Sequence, residues 1–133
     1  MAMKYELTKD LETGSSIIDR EHRELFGAVN KLLETCEKGQ GQMEVRNALD
    51  FLLRYVDRHF GHEEQLQTQN KYPEYTTHKR FHENYTVKLK QIAAKVGPNG
   101  PSAADLASLN SHVALLVSHI RTADKKLGAF LSH

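Results

Sequence analysis

Five histidines and two carboxylates recur along the 133-residue chain at spacings typical of one helix face. Side chains three to five residues apart on a helix lie near one another, so each such pair can point at a single spot. An ordinary zinc site takes four ligands, so a set of this size suits two adjacent metal ions. The seven candidate ligands are His22, His59, Glu63, His78, His82, His119 and Asp124.

If the seven side chains bound no metal, burying all of them together would cost much free energy of folding. A single histidine is ordinary as a core or surface side chain. A buried imidazole or carboxylate, however, costs several kcal/mol unless it is paired or coordinates a metal. Seven of them on inner helix faces would cancel much of the roughly 5–15 kcal/mol that stabilises a small domain. Metal binding offsets that cost, because it stabilises the folded chain directly.

The ligand types narrow the choice of metal. Imidazole suits iron, zinc, copper and nickel, and added carboxylates favour iron or manganese over thiolate-bound metals. Ferritin-like carboxylate centres use a glutamate from each of two helices and Glu-x-x-His from each of two others. The nitrogen-rich set in this chain argues against that class. A structural zinc bundle remains an alternative at this point.

Four amphipathic segments position these residues. Their apolar stripes advance mostly by alternating steps of 4 and 3 residues, the signature of one helical face. Candidate ligands occupy stripe positions, as His22 does in the first segment and His59 and Glu63 do in the second. The periods predict helices over about residues 16–38, 42–69, 74–96 and 102–131.

Local signals mark the ends of these helices. Ser15 or Ser16 is a suitable N-cap for the first helix, and Ser102, with an aspartate three residues on, suits the fourth. The second helix ends at Asn70-Lys-Tyr-Pro73, because proline disfavours helix at the residue before it. The third ends at the loop Gly97-Pro-Asn-Gly-Pro101.

The pattern predicts an all-α fold in a single domain covering residues 1–133. No strand-like alternation competes with the helical periods. Short loops between long helices favour antiparallel neighbours, which gives an up-down-up-down four-helix bundle. The first residues, about 1–14, lack a helical period, and we expect them to form an extended arm packed on the bundle.

Composition excludes several classes of protein. The net charge is +1 and charges of both signs are interspersed, so we expect no nucleic-acid partner. No apolar run approaches the ~20 residues of a membrane span, and the amino end has no apolar core of a signal peptide. The only cysteine, Cys36, cannot form an internal disulfide. We therefore expect a protein of a reducing compartment, the cytoplasm.

The ordered blocks of ligands resemble the hemerythrin family, in its single-domain bacterial form, the bacteriohemerythrins. A lone His-x-x-x-His motif is weak, but four such blocks in order are highly specific. The resemblance extends from about Leu11 to Leu131. The matching blocks are Ile18-Asp-Arg-Glu-His22, His59-Phe-Gly-His-Glu-Glu64, Tyr72-Pro-Glu-Tyr-Thr-Thr-His78-Lys-Arg-Phe-His82 and His119-Ile-Arg-Thr-Ala-Asp124-Lys-Lys-Leu127.

The resemblance implies two iron ions with an oxo or hydroxo bridge, and dioxygen as the ligand. Three histidines would hold one iron, two histidines would hold the other, and both carboxylates would bridge the pair. The iron with fewer histidines would keep an open position. By the resemblance, the three histidines of the first iron are His78, His82 and His119. The two histidines of the second iron are His22 and His59, and the bridging carboxylates are Glu63 and Asp124.

Other residues near the ligands have less specific roles. Phe60, Leu116 and Ile120 are candidate walls of an oxygen pocket, and ordinary core packing is an equally good interpretation of each. Bacterial relatives often carry a tryptophan four residues before the last ligand histidine, and this chain has Leu115 at that position. They also often carry Leu-Met shortly after the acidic pair, where this chain has Leu66 followed by Gln67. These departures concern the shape of the pocket and not the ligands.

From the resemblance we expect a non-enzymatic dioxygen-binding protein, serving carriage, storage or delivery to an oxygen-using partner protein. One alternative is an oxygen- or redox-sensing domain that acts through a signalling partner or an output module. Another is di-iron peroxidase, ferroxidase or nitric-oxide chemistry at the same centre. His62 and His112 are not assigned as ligands.

Overall fold

The computed structural model describes residues 5–38, 42–96 and 101–132, and this part of the chain contains helices and no strand. The prediction of an all-α four-helix bundle is confirmed. The helices are α1 (Ser16–Glu37), α2 (Gln42–Gln69), α3 (Tyr75–Ala94) and α4 (Ala103–His119), and α4 continues through a π-helical turn (Ile120–Asp124) into α5 (Lys125–Leu131).

Contacts between side chains show that sequential helices run antiparallel. The Tyr55 hydroxyl of α2 donates to Glu24 of α1 at 2.9 Å, whereas His59, one turn further along α2, contacts Glu21, which lies earlier in α1. Helices α2 and α3 are antiparallel by the same criterion, and so are α3 and α4, because contacts that lie later in one helix lie earlier in its neighbour. None of the helices in the described ranges is long and apolar enough to cross a membrane.

The serines predicted as N-caps hold the first amide groups of their helices. The Ser15 hydroxyl accepts a hydrogen bond from the Ile18 amide at 3.4 Å. Ser102 and Asp105 form a reciprocal capping box, with the Asp105 amide donating to the serine hydroxyl at 3.1 Å and the Ser102 amide donating to the carboxylate at 3.0 Å. Both caps satisfy amide groups that have no partner inside the helix.

The end of α2 is a left-handed turn that reverses the chain towards α3. The Tyr72 amide donates to the Gln67 carbonyl at 2.9 Å, and the Lys71 amide donates to the Thr68 carbonyl at 3.3 Å. This pairing is the Schellman motif, which requires one residue with positive φ. Lys71 supplies it, with φ of 55°.

Apolar side chains form two separate clusters along the bundle. The larger one runs from Leu32 and Val45 to Phe60 and Ile120, and the smaller one joins Ile18, Tyr72 and Leu127 near the other end. The predicted metal ligands occupy the layer between them. This arrangement keeps the polar layer away from both ends of the bundle.

The described part of the arm, ahead of α1, lies along α1 and against α5. It contains one 3₁₀ turn (Lys9–Leu11), whose Leu11 side chain is buried. The Tyr5 amide donates to the Asn30 side chain at 2.8 Å. A Cβ atom added to Gly128 would lie 2.2 Å from the Thr13 carbonyl oxygen, so only glycine permits this close approach. Residues 1–4 of the predicted arm and 97–100 of the predicted loop lie outside the described ranges.

Lys71→Gly should stabilise the metal-free protein by about 0.5–1 kcal/mol, because glycine adopts the left-handed conformation without steric cost. Chemical denaturation followed by circular dichroism measures the change. Lys71→Ala keeps the Cβ atom and serves as the control, for which we expect no gain. A loss of stability in Lys71→Gly would contradict the role given to this turn.

Candidate metal centre

The seven side chains predicted as ligands meet in one buried layer of the bundle. Each helix contributes, with His22 on α1, two residues on α2, two on α3, and His119 and Asp124 on the last helical run. All seven side chains are buried, and none is more than 7% exposed. The spacing seen in the sequence therefore translates into one cluster in space.

Glu63 lies between two groups of histidines. Its Oε2 atom is 3.1 Å from His59 Nε2 and 3.3 Å from His22 Nε2. Its Oε1 atom is 3.2 Å from His82 Nε2 and 3.5 Å from His78 Nε2. One carboxylate thus presents a different oxygen to each group.

Asp124 repeats this division from the opposite side of the layer. Its Oδ1 atom is 2.9 Å from His78 Nε2 and 3.1 Å from His119 Nε2. Its Oδ2 atom is 3.1 Å from His22 Nε2. Both carboxylates therefore have the placement of ligands that join two neighbouring ions.

The potential ligand atoms form two overlapping groups, each with its atoms within 4.8 Å of one another. One group contains three histidines and the other contains two, and Asp124 belongs to both. Glu63 belongs to the two-histidine group by this measure, and its other oxygen faces the first group. The groups are His78, His82, His119 and Asp124, and His22, His59, Glu63 and Asp124.

The π-helical turn explains how His119 and Asp124 reach the same layer. Five residues along a regular α-helix rotate a side chain by about 140° from its starting direction. A turn with i→i+5 hydrogen bonds reduces that rotation, and such turns are frequent at functional sites. The sequence predicted one uninterrupted helix over residues 102–131, and the structure corrects this by a π turn at Ile120–Asp124.

Carboxylates outside the cluster hold the outer nitrogens of two histidines. His59 Nδ1 is 2.8 Å from Glu21 Oε1, and His82 Nδ1 is 2.9 Å from Glu64 Oε2. Histidines that bind metals commonly donate their other N–H group to such a partner, which fixes the orientation of the ring. Sequence reasoning missed both acids, although each is adjacent in sequence to a predicted ligand. Glu21 also contacts the partly exposed His62, at 2.6 Å from its Nδ1 atom.

Aromatic rings cover the cluster on two sides. The Phe60 ring stacks on His82 and the Phe81 ring stacks on His119, each at 3.8 Å between ring centres. His112 lies outside the cluster, where its Nε2 atom is 2.9 Å from the Tyr85 carbonyl oxygen. The neighbouring Leu115 is 49% exposed and lines an open groove of about 530 Å³ that reaches Phe81. A single aromatic ring therefore separates this groove from His119.

Most of the converging atoms make no hydrogen bond despite their short separations, and the exception is the contact of 3.2 Å between His119 Nε2 and His78 Nε2. All four carboxylate oxygens of Glu63 and Asp124, and the Nε2 atoms of His22, His59 and His82, are buried without a hydrogen-bond partner. Buried polar atoms are nearly always paired, so such a concentration of unpaired ones needs a cation or another shared partner. Nitrogen and carboxylate donors suit iron or another divalent transition metal. The residues therefore fit a metal centre.

The cluster strongly shifts the ionisation of its members. Burial lowers the pKa of His59, but Glu63 and the Glu21 hydrogen bond outweigh this and raise the pKa to about 10. Burial likewise opposes protonation of His78, but Asp124 and Glu63 raise its pKa to about 9. Burial raises the pKa of the Glu63 carboxyl, yet His59 and the other histidines hold it well below its usual range. Without metal, the two carboxylates are thus balanced by imidazolium groups at His59 and His78.

Metal loading at pH 7 should release at least two protons per chain. His59 and His78 are protonated at that pH in the metal-free protein, and metals bind neutral imidazole. Metal affinity should therefore rise with pH until about pH 9–10, where these protons dissociate. Anaerobic titration with ferrous iron in weakly buffered solution, with a pH indicator, measures the release. Fewer than one proton per chain would contradict this ionisation of the cluster.

The fold and the ligand cluster together define a helical bundle whose core is able to hold metal. The chain matches the family model described as "Hemerythrin HHE cation binding domain" over residues 13–131. This match covers the polar layer and, apart from Leu11, all the buried residues of both apolar clusters. The chain belongs to the hemerythrin family.

Several bacterial proteins are similar to this chain along most of its length. A bacteriohemerythrin from Stenotrophomonas maltophilia is 27% identical over 116 residues, which cover 87% of this chain and 74% of that protein. One from Methylococcus capsulatus is 28% identical over 132 residues, 99% of each chain. One from Campylobacter jejuni is 29% identical over 84 residues, 63% of each chain.

Proposed function

We propose that this protein binds dioxygen reversibly at a non-heme di-iron centre, for carriage, storage or delivery to an oxygen-using partner protein. The observation that carries the proposal is the division of the ligands. Each of two buried carboxylates turns one oxygen towards a group of three histidines and the other towards a group of two. Membership of the hemerythrin family supports iron as the metal.

In this proposal the three-histidine group would hold one iron and the two-histidine group would hold the other, and Glu63 and Asp124 would contribute ligands to both. When bound, the two irons supply the two electrons for reversible reduction of dioxygen. The two-histidine side has one protein ligand fewer, and this side would leave room for dioxygen. The groups are His78, His82 and His119, and His22 and His59.

The apolar residues beside the centre exclude water from it. Phe60, Leu116 and Ile120 are 3%, 1% and 0% exposed, and all three belong to the larger apolar cluster. Phe60 spans the two groups, because its ring stacks on His82 and lies 5.9 Å from the ring of His59. We propose these three side chains as walls of the oxygen pocket. A dry apolar wall favours a small uncharged ligand over water.

The arrangement of acids supports binding rather than turnover. Glu63 and Asp124 face the converging histidines, and Glu21 and Glu64 face the outer nitrogens of two of them. None of these four acids is therefore left as an independent proton donor for a catalytic cycle. The bacterial relatives are named bacteriohemerythrins, a name that states no enzymatic activity. A cytoplasmic location, expected from the single cysteine, stays a prediction.

Oxygen binding has a direct spectroscopic test. The reduced iron-loaded protein should develop a visible ligand-to-iron charge-transfer band on exposure to air, and lose it on deoxygenation. Absorption and resonance Raman spectra over several cycles measure this reversibility. A band that never forms, or an oxidation that does not reverse, would contradict oxygen binding. Sustained turnover of peroxide, ferrous iron or nitric oxide above that of free iron would instead indicate an enzyme.

Matched histidine variants connect this band to the cluster. His119→Ala should hold fewer than two irons and lose the reversible band, because it removes a ligand from the three-histidine group. His112→Gln is the control on the same helix, where glutamine can still donate to the Tyr85 carbonyl, and it should keep both properties. A His119→Ala protein that retains two irons would refute the ligand assignment.

A further inference from the structure

Gln67 is a buried polar side chain without any partner. It is 0% exposed, and neither its Oε1 nor its Nε2 atom makes a hydrogen bond. Apart from the converging atoms of the cluster, the described residues contain one other buried side-chain polar atom of this kind, His22 Nδ1. A buried unpaired amide is costly, because it has lost its hydrogen bonds to water without replacement.

The two unpaired groups lie on neighbouring helices at adjacent levels. Gln67 is one turn after Glu63 on α2, about 6 Å further along the helix axis. Glu63 in turn lies 3.3 Å from His22 Nε2 on α1. Since α1 and α2 are antiparallel, the turn of α2 that holds Gln67 lies beside the turn of α1 that precedes His22.

The direction of helical side chains brings the two groups closer together. Side chains on an α-helix lean towards its amino end. The His22 ring therefore leans towards the level of Gln67, and the Gln67 side chain leans back towards the level of Glu63. In the small cluster on this side of the layer, the Tyr72 hydroxyl is the one polar side-chain group, and Gln67 makes no hydrogen bond with it.

His22 needs an acceptor at its outer nitrogen. Its Nε2 atom faces Glu63 and Asp124, so a metal ligand at Nε2 leaves the proton on Nδ1. His59 and His82 direct the corresponding nitrogen at the carboxylates of Glu21 and Glu64. His22 has no such carboxylate. Apart from the converging carboxylate oxygens, Gln67 Oε1 is the one other buried, unpaired side-chain acceptor among the described residues.

We propose that the Gln67 carboxamide accepts the hydrogen bond of His22 Nδ1–H, directly after a side-chain rotation or through one buried water. Gln67 is then a positioning residue for the two-histidine side of the centre, and this inference rests on the proposed di-iron function. The amide is neutral, so it orients the ring without adding negative charge. The two histidines of the open side thus differ, with an anionic partner for His59 and a neutral one for His22.

Two variants of Gln67 test the proposal. Gln67→Leu keeps the side-chain volume and removes the acceptor, and it should speed the loss of iron to a chelator about 10-fold or more. Gln67→Glu restores an acceptor and should return the rate close to that of the wild type. Gln65→Leu makes the same apolar change at an exposed position of α2 and should leave the rate unchanged.

Two further measurements separate positioning from a structural role. The metal-free Gln67→Leu protein should be at least as stable to denaturant as the wild type, because a buried unpaired amide is removed. In the iron-loaded protein with ¹⁵N-labelled histidine, one exchangeable imidazole N–H signal should exchange faster in Gln67→Leu and regain protection in Gln67→Glu.

Three results would overturn the inference. The first is an unchanged rate of iron loss in Gln67→Leu. The second is a parallel fall in the stability of the metal-free protein, which indicates a structural role only. The third is failure of Gln67→Glu to restore iron retention, which denies an acceptor role. If the wild-type protein itself never holds two irons, the proposed function is wrong. The iron content of the wild type shows this before any variant is compared.

Discussion

The burial of seven imidazole and carboxylate side chains in one layer is the constraint on which this structure depends. Each of these groups loses hydration on folding, and the hydrogen bonds that normally compensate are missing at most of the converging atoms. Without metal, charge pairing between imidazolium and carboxylate groups compensates in part, which is why the pKa of His59 is raised to about 10. A shared pair of cations would satisfy all of the converging atoms at once. The apolar clusters on either side then protect this layer from water.

The two carboxylates divide the ligand layer into two different sides. Because each oxygen of Glu63 and Asp124 faces a different set of histidines, the cluster divides into two unequal halves and does not form a single ring of donors. The support from outside the cluster is unequal as well. Glu21 and Glu64 orient His59 and His82, whereas His22 has an unpaired outer nitrogen. In the proposed function, the asymmetry of the ligands and of their supporting carboxylates, more than the number of ligands, would suit one side of the centre for an exogenous ligand.

Much of this arrangement could be predicted from the sequence, because it follows from helical periodicity. Stripe positions identified the helices and all seven converging residues, and local chemistry identified the caps at Ser15 and Ser102. Their roles as ligands of particular irons stay predictions. The π turn was not predicted, because a period of 3.6 residues does not reveal a local change in backbone hydrogen bonding. The roles of Glu21 and Gln67 depend on the register between α1 and α2, and the approach of the arm to Gly128 depends on tertiary packing.

Mössbauer spectroscopy of the oxidised, ⁵⁷Fe-loaded protein tests the central claim most directly, namely that two carboxylates join two unequal metal positions. The account predicts two irons per chain, two quadrupole doublets of equal area, and a diamagnetic ground state caused by coupling through the bridges. A single doublet from one iron per chain, or two irons that behave as uncoupled paramagnets in an applied field, would contradict it.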